Sequence, residues 1–149
     1  MRVVLQLVNN CKVEIENNTV ASIEKGFLLL LGVKNGDTES DAVKLAKKIS
    51  GLRIFTDEND KMNLSLSDVG GSVIVVSNFT LYADCSHGRR PSFINAARPE
   101  ISNPLYELFC EEMRKNGVEV QTGEFGADMQ VSLCNDGPVT IVIDSEDLK

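Results

Sequence analysis

The chain has 149 residues, of which 42% are hydrophobic and 25% are charged, and its formal net charge is −7. These values predict one globular domain over residues 1–149. The acidic charge excludes a broad surface that tracks nucleic-acid phosphates, but it leaves room for a small basic patch at one nucleic-acid end. The longest apolar run, from Phe27 to Leu31, is too short to span a membrane. Because the N-terminus also lacks the apolar core of a signal peptide, we expect a cytoplasmic protein.

The cysteines and the histidine argue against a metal site. The four cysteines are widely spaced and form no CxxC pair, and His87 is the one histidine. We therefore expect no zinc, no other cofactor and no disulfide framework, and we expect reduced thiols, as is usual in the cytoplasm. Cys134 in particular is expected to be a small buried apolar side chain.

The first third of the chain predicts strands followed by a helix. Alternating and continuous apolar patterns predict an antiparallel meander of strands at 1–8, 12–15, 20–24 and 27–33. The segment Thr38–Asp41 fits a capping box, and Gly51 is placed to end the helix that follows. A short strand at 52–55 comes next. The apolar face of the helix is predicted to consist of Val43, Leu45, Ala46 and Ile49.

Two apolar strands later in the chain end in polar residues. The run 73–76 is followed at once by Ser77-Asn78-Phe79-Thr80, and a second polar segment, Asn135–Thr140, lies at the junction of predicted strands 129–134 and 139–144. Strand ends on a rigid sheet are common positions for functional groups. We interpret the two polar segments as parts of one site.

A second helix is predicted between the two polar segments. It is expected to begin at Ser102 or Asn103, with Pro104 in its first turn, and to end before Gly117. A strand at 118–122 and a glycine-bracketed loop follow. The predicted fold class is α/β of the α+β type, with one mostly antiparallel or mixed β-sheet, or barrel-like sheets, on which two main helices pack.

Few side chains near the two segments can act as a base. A Ser-His-Asp triad or an activated cysteine needs a histidine, and His87 has no evident carboxylate partner. The backbone N–H groups of Phe79 and Thr80 can instead stabilise an oxyanion, which requires no titrating side chain. The hydroxyl and amide side chains that can orient a substrate are those of Ser77, Asn78, Thr80, Asn135 and Thr140.

Two other features have more than one interpretation. The pair Gly137-Pro138 either forms a plain turn or lets the backbone approach a ligand closely. Arg89 and Arg90 either lie in a solvent-exposed loop or contact phosphate oxygens, which guanidinium groups match well. The residues alone leave both questions open.

The order of several motifs resembles that of the D-aminoacyl-tRNA deacylase family. The two hallmark motifs are Ser77–Leu81 and Asn135–Thr140, and the segments Gly88–Phe93 and Thr122–Met129 support them, so the resemblance covers nearly the whole chain. It implies hydrolysis of the ester that joins a D-amino acid to the 3′-terminal adenosine of tRNA. It also implies a homodimer with its sites at the subunit interface.

The resemblance also assigns roles to individual residues. It implies that Gly137 and Pro138 form a cis pair that enters the partner's pocket, holds the substrate's amino group and excludes L-amino acids. It places Phe125 and Met129 at the adenine. The residues that we assign to substrate binding together with these four are Asn135, Val139, Thr140, Arg89 and Arg90.

The catalytic roles implied by the resemblance fall on Ser77, Asn78, Phe79 and Thr80. Either Thr80 is the nucleophile, or the 2′-hydroxyl of the tRNA ribose assists while the protein mainly positions the substrate. Because no base for Thr80 is evident, we favour the second mechanism.

Two positions depart from the family pattern. Asn78 stands where the family usually has Gln, and Leu7 stands where it usually has Arg. These departures motivate an alternative function, a catalytically weak module that binds the acyl-tRNA end or a paralogue with a different acyl-tRNA substrate.

Overall fold

The computed structural model describes residues Met1–Lys149. Two short 3₁₀ turns, Phe79–Tyr82 and Ser145–Asp147, accompany the regular elements. The helices are α1 (Glu39–Ser50), α2 (Leu66–Val69) and α3 (Pro99–Lys115). No helix is long and apolar enough to cross a membrane. The strands are β1 (Arg2–Ile15), β2 (Asn18–Ile23), β3 (Gly26–Gly32), β4 (Phe55–Thr56), β5 (Met62–Leu64), β6 (Ser72–Ser77), β7 (Glu119–Thr122) and β8 (Gln130–Asp144).

The long strand β1 organises the sheet because it pairs with three other strands. One edge of β1 pairs antiparallel with β8, and the other edge pairs with β3 in its first half and with β2 in its second half. The predicted meander is therefore wrong in one respect, since β3 returns to β1 and not to β2. The predicted break near residues 9–11 is also absent, because the ladder to β8 continues through Asn10.

The sheet is mixed and nearly closes into a barrel. β3, β6 and β7 run parallel to one another, beside the antiparallel strands β1, β2 and β8. The side chain of Gln121 on β7 hydrogen-bonds both backbone groups of Ser22 on β2, at 2.8 and 2.9 Å, and so links the two ends of the sheet. The predicted α+β class with a mixed, barrel-like sheet is confirmed.

Apolar side chains fill both faces of the central strands. On β3, Phe27, Leu29 and Leu31 belong to the main core under the helices, whereas Leu28 faces a smaller core within the curved sheet. The prediction of a fully buried strand at 27–33 is therefore confirmed. Helices α1 and α3 contact each other, and their buried side chains share the main core with the sheet, so the predicted packing of two main helices on the sheet is confirmed.

Both main helices differ in detail from the prediction. On α1, Ala42 is buried and Val43 is exposed, so the apolar face is rotated by one residue. Helix α3 begins at Pro99, because the carbonyl of Arg98 already accepts the N–H groups of Ile101 and Ser102. Proline is favoured at a first helical position, and Pro104 consequently lies inside the helix.

The C-terminal strands also differ from the prediction. The two strands expected at 129–134 and 139–144 are one element, β8, because β1 offers a continuous pairing partner. Alternate residues of β8 face outward, so Cys134 is exposed and the expectation that it is buried is wrong. The strand expected at 52–55 is reduced to β4.

Arg2 connects three parts of the molecule at the start of β1. Its guanidinium donates two hydrogen bonds to the Asp144 carboxylate at 2.8 and 3.0 Å, and a third to the carbonyl of Leu81 at 3.2 Å. It also lies over the ring of Tyr82, 5.1 Å from the centroid. The hydrogen bond from Arg2 lowers the pKa of the Asp144 carboxyl.

We expect Arg2→Ala to reduce the free energy of unfolding by about 1–2 kcal/mol at pH 7, because a bidentate charged contact is lost. Because the folded-state pKa of Asp144 is lowered, its stabilisation is present above the unfolded-state pKa and is lost as the pH falls through the folded-state value. The difference between wild type and variant should therefore shrink below about pH 4. Urea denaturation between pH 3 and 7 measures both effects.

A matched control is Lys12→Ala on the same strand, which removes a surface contact of 3.1 Å to Glu14. Exposed ion pairs of this kind contribute little, so the control should change the stability by less than about 0.5 kcal/mol. An Arg2→Ala variant as stable as this control at pH 7 would show that the Arg2 contacts do not hold the fold together.

Candidate functional site

A cavity of about 730 Å³ opens where the parallel strands β3 and β6 end. One wall consists of the end of β6 and the 3₁₀ turn after it, residues 76–80. A second wall is formed by residues 93–102, which include the first turn of α3, and a third by the loop after β7 together with the start of β8, residues 125–131. The ends of three parallel strands thus converge on one opening, which is a common position for ligand sites in mixed sheets.

The polar segment after β6 lies on the rim of this cavity. Asn78 precedes the 3₁₀ turn, and its Oδ1 accepts a 2.5 Å hydrogen bond from the hydroxyl of Thr80. The backbone N–H groups of Phe79 and Thr80 donate to no protein acceptor, as expected at the beginning of a helical turn. Two adjacent N–H groups are therefore free to bind an oxygen of a ligand.

The 3₁₀ turn is fixed by contacts with the first and third strands. A Cβ on Gly32, at the end of β3, would lie 3.1 Å from the Cβ of Leu81 and 3.2 Å from the carbonyl oxygen of Asn78. The absence of a side chain at Gly32 therefore lets the turn approach β3 closely. From the other side, Arg2 donates to the carbonyl of Leu81. The free N–H groups are thus held on a rigid support.

Aromatic and apolar side chains form most of the cavity wall. Phe79 is 55% exposed, and its ring contacts that of Phe93 edge to face, with 5.0 Å between centroids. Phe125 packs 6.0 Å from the ring of Tyr106 on α3. Met129 fits beside Gly123, where a Cβ would lie 2.4 Å from the methionine sulfur. An apolar cavity with a few polar groups at one edge is typical of a small-molecule or nucleoside site.

No histidine or cysteine lines the cavity. His87 is exposed, and its Nδ1 contacts the hydroxyl of Ser86 at 2.8 Å. Asp128 is the one titratable side chain among the lining residues, and sequence reasoning assigned it no role. The glycine-bracketed loop marked its neighbourhood, but nothing in the pattern singled out its carboxylate. The Thr80 hydroxyl donates to the amide oxygen of Asn78, which is not a base, and neither a carboxylate nor an imidazole hydrogen-bonds it.

The second polar segment lies away from this cavity within the same chain. On β8, four residues (136–139) lie opposite Leu7 of β1, because Gln6 pairs with Thr140 and Val8 with Asn135. Gly137 and Pro138, joined by a cis peptide bond, are exposed at the tip of this bulge. The two polar segments therefore do not line one cavity within a single chain, and the interpretation that they are parts of one site stays a prediction.

Three side chains of the second polar segment stabilise the bulge. The Asn135 amide oxygen accepts the N–H of Val139 at 3.0 Å, and its amide nitrogen donates to the hydroxyl of Thr140 at 3.1 Å. The side chain of Val139 packs against the main core. These three residues thus hold the exposed pair Gly137-Pro138 away from β1.

Arg89 and Arg90 lie in an exposed loop beside the cavity and do not line it. The loop is closed at its base by two backbone hydrogen bonds between Asp84 and Ser92, at 2.7 and 2.9 Å. Phe93, on the cavity wall, follows directly. Neither arginine forms an ion pair within the chain.

Comparison with known proteins relates the whole chain to one family. A family model described as D-Tyr-tRNA(Tyr) deacylase matches residues 4–144. A protein of Clostridioides difficile (strain 630) named D-aminoacyl-tRNA deacylase is 57% identical over 145 residues, which are 97% of either chain. The protein of that name from Thermosipho africanus (strain TCF52B) is 56% identical over 146 residues, 98% of either chain.

The chain belongs to the D-Tyr-tRNA(Tyr) deacylase family. Its resemblance to this family, found from the sequence motifs, is confirmed. Among solved structures, one titled c-Myc DNA Unwinding Element Binding Protein matches with a TM-score of 0.89 at 34% identity, over 97% of this chain and 98% of that one. Another, titled as a probable eukaryotic D-amino acid tRNA deacylase, has a TM-score of 0.82 at 19% identity, over 96% and 98% of the two chains, and shows the fold alone.

The structure shows the surroundings of Leu7 and Asn78, the two residues that depart from the deacylase pattern. Leu7 is buried in the main core directly opposite the bulge that carries Gly137 and Pro138. In this deacylase-family chain the side chain of Asn135 closes the bulge from within. The shorter amide of Asn78 reaches Thr80 and therefore orders the rim of the cavity.

We expect Asn135→Ala to loosen the bulge because it removes both hydrogen bonds that close it. The amide of Val139 should exchange with solvent about 10-fold faster, which corresponds to the loss of one ordinary hydrogen bond. Hydrogen exchange followed by NMR measures this rate. The control is Asn10→Ala, an exposed asparagine on the neighbouring strand, which should leave the Val139 rate unchanged. Equal rates in wild type and Asn135→Ala would contradict the role of Asn135.

Proposed function

We propose that this protein hydrolyses the ester between a D-amino acid and the 3′-terminal adenosine of tRNA. Its membership of the D-Tyr-tRNA(Tyr) deacylase family supports this function. The observation that carries it furthest is the pair of free N–H groups, at Phe79 and Thr80, on the rim of an apolar cavity. An ester carbonyl at the rim and a nucleoside in the cavity would use both features.

The cavity and the rim suit different parts of the substrate. Aromatic and apolar walls near Phe125 and Met129 favour a purine base, which contributes a large flat apolar surface. The ester joins the ribose of that nucleoside to the amino acid, so it would lie beside the rim. Phe79 and Thr80 would then donate to its carbonyl oxygen, with Ser77 and Asn78 supporting the turn.

The proposed chemistry uses no side-chain base. Water adds to the ester carbonyl, the negative charge that forms on its oxygen is stabilised by the two N–H groups, and the C–O bond to the ribose breaks. The products are the free D-amino acid and the 3′-hydroxyl of the tRNA. Because no side-chain base contacts Thr80, we assign the assisting role to the neighbouring ribose 2′-hydroxyl and a positioning role to the protein.

Selection for the D-amino acid is proposed to come from a second copy of the chain. Gly137 and Pro138 are exposed on a bulge that Asn135, Val139 and Thr140 hold outward, and they lie outside the cavity of their own chain. In a homodimer this pair would enter the partner's cavity, bind the substrate's amino group and leave no room for an L side chain.

The tRNA itself would contact a small part of this acidic protein. Arg89 and Arg90 are exposed and unpaired on a loop next to the cavity wall, where they can bind phosphates of the acceptor end. A footprint limited to that end is compatible with the net charge of −7 and with action on tRNAs of different sequence. The proposed setting is the cytoplasm.

The rates of deacylation of D-Tyr-tRNA and L-Tyr-tRNA by purified protein test this function. We expect D-Tyr release to be faster by at least about 100-fold, because steric exclusion rejects the wrong enantiomer more strongly than a lost contact does. Equal rates at the buffer background, combined with binding of the acceptor end, would instead favour the alternative of a binding module.

The same deacylation assay on a Gly137→Ala variant tests the role of the bulge. An added Cβ would lie 2.8 Å from a methyl of Val139, at a φ of +125° that L-residues rarely adopt, so D-Tyr release should fall by about 10- to 100-fold. Gly117→Ala, at a φ of +86° after α3 with no atom near its added Cβ, is the matched control and should retain activity. Full activity in Gly137→Ala would contradict the proposed role of the bulge in binding the substrate.

We expect Thr80→Ala to retain a rate constant within about 5-fold of wild type, because the hydroxyl orders the rim and attacks nothing. Loss of a true nucleophile or its base lowers rates by about 10⁴-fold or more. Single-turnover deacylation of D-Tyr-tRNA measures the rate constant apart from binding. A loss above about 10³-fold in a folded variant that still binds substrate would establish Thr80 as the nucleophile.

A further inference from the structure

Two serines are buried in this protein, and they differ in how their hydroxyls are satisfied. Ser145 accepts a hydrogen bond from the N-terminal ammonium at 2.8 Å and donates one to Asp41 at 2.9 Å. Ser102, on α3, is 9% exposed, and its hydroxyl has no hydrogen-bond partner in the chain. A hydroxyl without a protein partner is left to water or a ligand, so Ser102 requires an explanation that Ser145 does not.

The helix does not satisfy the Ser102 hydroxyl. A helical serine commonly donates to the carbonyl four residues earlier, as Ser50 on α1 does to Ala46 at 2.8 Å. The equivalent acceptor for Ser102 is the carbonyl of Arg98, which accepts the backbone N–H groups of Ile101 and Ser102 at 2.9 and 2.8 Å but no bond from the Ser102 hydroxyl. The Ser102 side chain therefore remains available to another partner.

The available direction is the cavity. Ser102 is one of its lining residues, and no buried polar side-chain atom of the chain is both sealed from solvent and without a partner. The unpaired Ser102 oxygen therefore keeps some accessible surface, and the cavity is the opening that the residue lines. A hydroxyl can donate and accept, so its partner can be of either kind.

The surroundings of Ser102 are rigid and place it near the aromatic wall. Tyr106 lies one helical turn further on the same face of α3, and its hydroxyl donates to the carbonyl of Val75 at 2.8 Å. The Tyr106 ring packs against Phe125, which also lines the cavity. Ser102 thus presents a fixed polar group in a part of the cavity that is otherwise apolar.

We propose that the Ser102 hydroxyl hydrogen-bonds the edge of the terminal adenine of the tRNA substrate and so fixes the base in the cavity. The inference rests on the proposed function, because that function supplies a nucleoside to this cavity. Adenine carries one amino donor and several ring-nitrogen acceptors, so a hydroxyl that can do both is a suitable partner. Ser102 would be a binding residue and would take no part in bond breaking.

The test is Ser102→Ala. We expect KM for D-Tyr-tRNA to rise about 3- to 10-fold, the range for one neutral hydrogen bond, with kcat unchanged within about two-fold. Adenosine 5′-monophosphate alone should bind the variant more weakly by the same factor in an NMR titration. The thermal midpoint should not fall, because alanine removes an unpaired hydroxyl and favours the helix.

The matched control is Ser40→Ala, an exposed serine in the first turn of α1, which should change none of these values. Unchanged KM and unchanged nucleotide affinity in Ser102→Ala would overturn the proposal. If the wild-type protein does not deacylate D-Tyr-tRNA, the proposed function fails, and the nucleotide titration alone then decides the role of Ser102.

Discussion

The parallel pairing of β3 with β6 is the constraint on which the candidate site depends. It brings the carboxyl ends of two buried strands side by side, so that Leu31 and Ser77 are neighbours at one edge of the sheet. Parallel neighbours need a long crossover, which here contains α1 and α2. The same edge receives the loop after β7 and the first turn of α3. Arg2 and Gly32 then hold the 3₁₀ turn against this edge, so local rigidity follows from the topology.

The sequence pattern predicted where helices and strands lie along the chain better than it predicted which strands pair. The buried run at 27–33, the helix after Thr38 and the strand ending at Ser77 follow from hydrophobic spacing and capping, which are local properties. Pairing is not local: nothing within residues 1–33 indicates that β3 returns to β1. The start of α3 was missed because two prolines, Pro99 and Pro104, both suit a first turn, and the hydrogen bonds to Arg98 decide between them.

The candidate site was predictable to the extent that its residues follow a strand. Ser77, Asn78, Phe79 and Thr80 stand at a change from apolar to polar residues, and the structure places them on a cavity with Phe125 and Met129. Ser102 and Asp128 had no such pattern, because each is an ordinary residue that only tertiary packing brings to the wall. The separation of Gly137 and Pro138 from the cavity of their own chain was not predictable either, since sequence spacing does not specify how far a bulge projects from the sheet.

The proposed division of labour between backbone and substrate would account for the composition of the site. A titrating base would have to be desolvated and oriented near the ester, and this chain has one histidine, which is exposed outside the cavity. Backbone N–H groups carry no charge, keep their orientation through the fold and act over the whole range of physiological pH. In the proposed reaction the ribose of the ester supplies its own neighbouring hydroxyl, so the protein would have to fix that group and stabilise one oxygen. Rigid contacts around the 3₁₀ turn therefore matter more to the proposed reaction than any single reactive side chain.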